Sequence, residues 1–111
     1  MKKVIHLKID TRTSAIIEAK QFLKDLEDLG ITPKRALLFG SYAKNRTNTY
    51  SDIDLAVWAN EFVGIKMLDY EKIAFVLGKH TSIEAHTFSA GATKDTEPFL
   101  EEIEKDAIVI L

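Results

Sequence analysis

The sequence predicts a small α/β fold, a single domain over residues 1–111 with helices packed on a mixed sheet. Three observations predict it. Short apolar runs such as Ala36–Phe39 and Ile53–Ala59 alternate with segments of helical periodicity. Glycine and proline fall where those helices must stop. A chain of 111 residues, 46% of them hydrophobic, can bury one core and has no room for a second.

The elements follow in order. Val4–Ile9 alternates, with Ile5, Leu7 and Ile9 opposing His6 and Lys8, as in an edge strand or an extended arm. Thr13 or Ser14 can cap a helix whose apolar positions are Ile16, Ala19, Leu23, Leu26 and Leu29, with Phe22 beside them. Gly30 ends it as a left-handed cap, and Pro33 marks the turn. Ala36–Phe39 reads as a buried strand, Ser41–Arg46 as a short helix, Thr47–Ser51 as a polar loop and Ile53–Ala59 as a second core strand. A helix is expected from about Gly64 to Leu77, with Ile65, Leu68, Ile73 and Leu77 inward and Gly78 ending it. Ser82–Phe88 is a third strand, with Ile83, Ala85 and Thr87 on one face and Glu84, His86 and Phe88 on the other. After a loop over Ser89–Thr96, Pro98 suits a first helical turn, the helix runs to about Asp106, and Ala107–Leu111 is a closing strand.

Composition excludes several classes. The net charge of −2, with acidic and basic residues interleaved, is not the basic footprint of a nucleic-acid-binding protein. No apolar run approaches the roughly 20 residues that span a bilayer, so no membrane partner is expected. MKKVIHLKID lacks the apolar region and cleavage site of a signal peptide. With no cysteine there can be no disulfide or thiolate metal site, which suits a reducing cytoplasm, the expected location.

The chemistry is concentrated in Gly40-Ser41, followed after ten residues by Asp52-Ile53-Asp54. Phe39 closes an apolar run, so Gly40 and Ser41 stand where a buried strand ends and turns. A glycine there admits a ligand close to the backbone, and the N–H groups that follow can point at phosphate oxygens. Asp52 and Asp54 are two residues apart, which in an extended chain puts both carboxylates on one face. Paired carboxylates repel, and the usual remedies are a shared proton or a divalent cation. A phosphate cradle beside a cation site is the equipment of phosphoryl or nucleotidyl transfer.

The stretch GSYAKNRTNTYSDIDLAV resembles the minimal nucleotidyltransferases of the polymerase β-like superfamily. Within it, the chain is similar to the short prokaryotic proteins that act with a HEPN partner as a toxin–antitoxin pair. The strong match covers about residues 35 to 58, and a weaker one runs through Ile83–His86 and Glu97–Leu100. The resemblance implies a nucleotidyltransferase fold of the polymerase β palm type. It also implies Mg²⁺-dependent transfer of a nucleoside monophosphate, AMP from ATP, to an acceptor such as a hydroxyl on a helical HEPN-type toxin. This chain would then be the antitoxin. Two Mg²⁺ ions, replaceable by Mn²⁺, call for about three carboxylates from neighbouring strands. Asp52 and Asp54 supply two, and Glu84 is the third, mid-strand between Ile83 and Ala85, where a charge needs a reason. The family more often has Asp there, and Gly where this chain has Asn45. Gly40 and Ser41 would hold the β- and γ-phosphates, with Lys44 and Arg46 neutralising the triphosphate or lying solvated on the surface. His86 shares the Glu84 face and reads as structural, His6 and His80 as surface, and Trp58 as packing. Tyr42 and Tyr50 are left between base stacking, partner contact and core cover. Two other functions remain open: a non-catalytic module that neutralises its partner by binding, and an enzyme acting on a small molecule. A homo-oligomer also stays open.

Overall fold

The computed structural model describes residues 11–44 and 52–111. The expected arm Val4–Ile9, the loop Thr47–Ser51, and His6, Asn45, Arg46 and Tyr50 lie outside the described residues. Among those described, the chain runs through α1 (Thr11–Asp28), β1 (Pro33–Phe39), β2 (Ile53–Ala59), α2 (Lys66–Lys79), β3 (Ile83–Ser89), α3 (Phe99–Glu104) and β4 (Ile108–Val109). The sheet order is β3-β2-β1-β4. β1 runs antiparallel to β2 and β4, and β2 parallel to β3, with α2 as the crossover.

β2 is buried on both faces beyond Asp54, as a central strand should be, which explains the apolar run Leu55–Ala59. Leu55, Val57 and Ala59 join Ala36 and Leu38 of β1 and Ile83 and Ala85 of β3 under α1 and α2. Ala56, Trp58, Leu37 and Phe88 face the other way, where α3 contributes Leu100 and Ile103. Trp58 is packing, as expected: it is 2% exposed, stacks on Phe88 and donates its indole N–H to Ala92 O at 3.0 Å. The α3 side is only partly roofed, because α3 has a mere six residues.

α1 ends as the sequence requires. Gly30 has φ +98°, Gly30 N donates to Glu27 O at 3.0 Å, and Ile31 N to Leu26 O at 2.9 Å. That pair of bonds is the Schellman closure, which needs a left-handed residue at this point.

α2 departs from expectation. It starts at Lys66, runs past Gly78 to Lys79, and bends at Ile73 (φ −118°, ψ 17°). Its buried residues are Asp69, Ile73 and Val76, whereas Ile65 and Leu68 are 55% and 46% exposed. Asp69 takes the inward place because three donors meet it there. Val63 N and Gly64 N reach its two oxygens at 2.9 and 2.8 Å, and the Thr87 hydroxyl reaches Oδ2 at 2.8 Å. A fully buried carboxylate with three such bonds ties the β2–α2 loop to β3.

His80 is a second correction. It is buried, not on the surface: Nε2 meets Asp25 Oδ2 at 2.6 Å, Nδ1 meets Glu18 Oε2, and the ring packs edge-on against Phe22. The end of α2 is thereby clasped to α1. Hydrogen bonding to His80 holds the Asp25 carboxyl below its ordinary value, with Gln21 and Lys79 adding to the effect.

Candidate active site

The parallel register of β2 and β3 sets Asp54 opposite Glu84, and the antiparallel register of β1 sets it opposite Phe39. Asp54 therefore lies on the sheet face that α3 leaves partly open. Asp52 stands just before the strand, close enough with Glu84 for both charges to act on Asp54, and Asp52 and Glu84 line a cavity of about 340 Å³ with Lys66 and Tyr70. The fold thus brings the three sequence-predicted carboxylates into one neighbourhood.

Gly40 joins this group by contact. Its φ of +74° is left-handed, and a Cβ placed there would overlap Asp54 Oδ2 and stand 3.2 Å from Asp54 Cγ. Only glycine satisfies both the conformation and the approach. From Gly40 the chain turns through Ser41 to Lys44, whose N donates to Gly40 O at 3.1 Å. This is a tight turn; the expected helix does not extend within the described residues. Arg12 of α1 braces the turn, its guanidinium donating to Ala43 O at 2.8 Å and Tyr42 O at 3.4 Å. Tyr42 packs against the core. Lys44 lies beside Gly40, Phe99, Glu102 and Asp106 at a cavity of about 160 Å³.

The electrostatics follow from this crowding. Burial raises the Asp54 carboxyl above its ordinary value of 3.8, and the charges of Glu84 and Asp52 push the same way. His86 opposes them, with Nε2 at 3.5 Å from Asp54 Oδ1. Glu84 leans towards Lys66, whose Nζ is 3.8 Å from Oε1. Tyr70 donates its hydroxyl to Ala85 O at 2.5 Å, and its pKa is raised, first by burial and then by Glu84.

Three carboxylates that repel one another are hard oxygen donors of the kind that suits Mg²⁺ or Mn²⁺. By chemistry the donor set fits a divalent cation. By geometry it is not closed: among the described residues no group of three or more His, Asp or Glu side chains surrounds a metal position. Glu84 would have to swing away from Lys66 to complete it.

Several neighbours escaped the sequence reading. Arg12 is remote in sequence from the turn it braces and carried no signal. Lys66 and Phe99 reach the site only through the crossover and the α3 roof. Asp69 had a faint signal, a carboxylate in the first turn of a helix that follows a glycine. A larger cavity of about 420 Å³ lies away from these residues, beside Arg35, Glu104 and Lys105. Its Arg35 is already committed, 2.8 Å from Glu104 and stacked over Trp58.

A glycine turn is thus pressed on a strand-borne carboxylate, on the open face of a mixed sheet. The nucleotidyltransferase domain family matches residues 16–110, and the chain belongs to that family. Its fold, a mixed four-stranded sheet with helices on both faces, is that of nucleotidyltransferase domains. Among solved structures it is similar to a toxin–antitoxin crystallised with AMP-PNP, at 20% identity and TM-score 0.58, over 85% of this chain and 72% of that one. It is similar to a mutant of the toxin–antitoxin MntA-HpeT at 17% identity and TM-score 0.57, with the same coverage. A candidate nucleotidyltransferase from Sulfolobus solfataricus aligns at 17% identity and TM-score 0.54, over 89% of this chain and 81% of that one. Among proteins of curated function, none matches the chain. No helix among the described residues is long and apolar enough to cross a membrane.

Proposed function

We propose that this chain is a Mg²⁺-dependent nucleotidyltransferase that moves AMP from ATP to a hydroxyl of a helical HEPN-type partner, and so acts as an antitoxin. The observation that carries the reading is the contact of Gly40 with Asp54, which sets a phosphate-sized turn against the carboxylate cluster. The toxin–antitoxin relatives, one of them holding an ATP analogue, support the nucleotide and the partner class.

In this reading the Gly40–Lys44 turn receives the triphosphate, with backbone N–H groups and the Ser41 hydroxyl as donors and Lys44 as a nearby cation. Arg12 keeps the turn in shape by engaging its carbonyls. Asp52, Asp54 and Glu84 hold the divalent cations, which when bound would neutralise charge developing on the attacking and leaving oxygens. The acceptor oxygen bonds to the α-phosphorus, the α–β bridging P–O bond breaks, pyrophosphate leaves, and the hydroxyl proton passes to solvent through the carboxylates. The open face beyond α3 leaves room for a partner to present its hydroxyl.

The test is transfer of label from α-labelled ATP, with Mg²⁺, to a co-expressed helical HEPN-type protein, comparing wild type with Asp54→Asn. Label that appears on the partner and is lost in the variant is the expected result. A second reading, neutralisation by binding alone, is favoured by the Lys66–Glu84 pair and the unclosed carboxylate set. A stable complex with no label transferred selects it.

A further inference from the structure

His86 lies on β3 beside Asp54 and has no task in the scheme above. Its ring is set edge-on to Phe39, 4.9 Å between centroids, and lies 6.2 Å from Phe99. Those aromatic neighbours limit how the imidazole can turn. Its Nε2 is enclosed by protein and makes no hydrogen bond, yet faces Asp54 Oδ1 at 3.5 Å. His80 shows the contrast: both of its nitrogens are taken up by carboxylates. An enclosed imidazole nitrogen without a partner is uncommon and calls for a reason.

The two Asp54 oxygens supply one. Oδ2 is pressed towards Gly40 and Oδ1 is turned towards His86, so the carboxylate is bracketed on both sides. We propose that His86 is a positioning residue, which donates Nε2–H to Asp54 Oδ1 and thereby orients Asp54 towards a divalent cation. A movement of a few tenths of an ångström brings the pair to ordinary N–H···O length. Hydrogen bonds of this kind fix the direction of a ligand's lone pairs, and their loss typically costs ~10–100-fold in metal affinity. The inference rests on the metal-dependent reading above, and its test keeps the two apart.

The experiment titrates the purified chain with Mn²⁺ alone and follows free Mn²⁺ by electron paramagnetic resonance. Four proteins are compared: wild type, Asp54→Asn, His86→Phe and His86→Gln. The phenylalanine keeps the ring contacts and removes the donor; the glutamine restores a donor without the ring. Binding by wild type that Asp54→Asn loses is expected, with His86→Phe roughly 10–100-fold weaker and His86→Gln recovering most of the affinity. Circular dichroism establishes that each variant is folded, and His86→Met takes the place of His86→Phe if the latter is not. A folded donor-free variant that binds Mn²⁺ as wild type does overturns the inference and leaves the metal reading standing. So does His86→Gln binding as weakly as His86→Phe, since the ring alone would then matter. Wild type that binds no Mn²⁺, or Asp54→Asn that binds equally well, overturns both.

Discussion

Gly40 and Gly30 both sit at positive φ, and comparing them separates backbone strain from close approach. At Gly30 an added Cβ would meet nothing within 4 Å, whereas at Gly40 it would overlap Asp54 Oδ2. Gly30→Ala should therefore cost only the left-handed penalty, about 1–2 kcal/mol, and leave transfer activity intact. Gly40→Ala carries the same penalty and also displaces the Asp54 carboxylate. Its activity should fall by ~100-fold or more, since misplacing a reacting geometry by about 1 Å costs that much. Thermal melts and label transfer on both variants check this, and equal activity losses would remove the special role given to Gly40.

At the scale of elements, the α1–α2 clasp makes stability depend on acid. The Asp25 carboxyl is held below its ordinary value, chiefly by its hydrogen bond to His80. A carboxyl whose folded pKa is depressed binds fewer protons folded than unfolded. Its contribution is therefore present above the unfolded value and is lost as pH falls through the folded one. The thermal midpoint of wild type should drop as pH falls below about 4, and Asp25→Asn should drop less over the same range. Parallel curves for the two proteins would mean that the clasp does not carry this dependence. The strands were legible from the apolar runs Ala36–Phe39 and Leu55–Ala59 and from the alternation of Ile83–Phe88; β2 falls on Ile53–Ala59 as expected, while β1 starts three residues early, at Pro33. The inward face of α2 was legible only in its second half. Of the four positions that hydropathy assigned to it, Ile73 and Leu77 do face the core, but Ile65 and Leu68 do not, and buried donors on Val63, Gly64 and Thr87 pulled Asp69 inward instead.

For the whole molecule, burying the Asp54 carboxyl works against folding while that group is charged. The Asp54 pKa is raised, first by burial, so the folded state holds that proton more tightly than the unfolded chain does. By the same linkage, stability declines as pH rises from the ordinary carboxyl range through the folded value. At neutral pH and without divalent ions, Asp54→Asn should melt higher than wild type, at roughly 4 °C per kcal/mol gained. Mg²⁺ with ATP should reverse the order. Ligand at 100 times its Kd adds about 2.7 kcal/mol to a protein that binds it, and Asp54→Asn should gain far less. Differential scanning fluorimetry in EDTA and in Mg²⁺–ATP reads both effects; equal ligand shifts would place binding elsewhere.

The sequence by itself determined the strand cores, the Schellman end of α1, and the spacing of Gly40-Ser41 to Asp52 and Asp54. Each is a local matter: a run of side chains, a turn that demands glycine, or a two-residue period that puts carboxylates on one face. Tertiary structure decided what those residues meet. Register across the parallel β2–β3 pair, which no local pattern encodes, put Glu84 beside Asp54 and His86 within reach of it. Packing of α1 brought Arg12 to the cradle turn and clasped His80 between two carboxylates. Burial in the folded chain, not residue type, raises Asp54 and lets Asp69 occupy the core, because desolvation and hydrogen-bond partners exist only once distant segments come together.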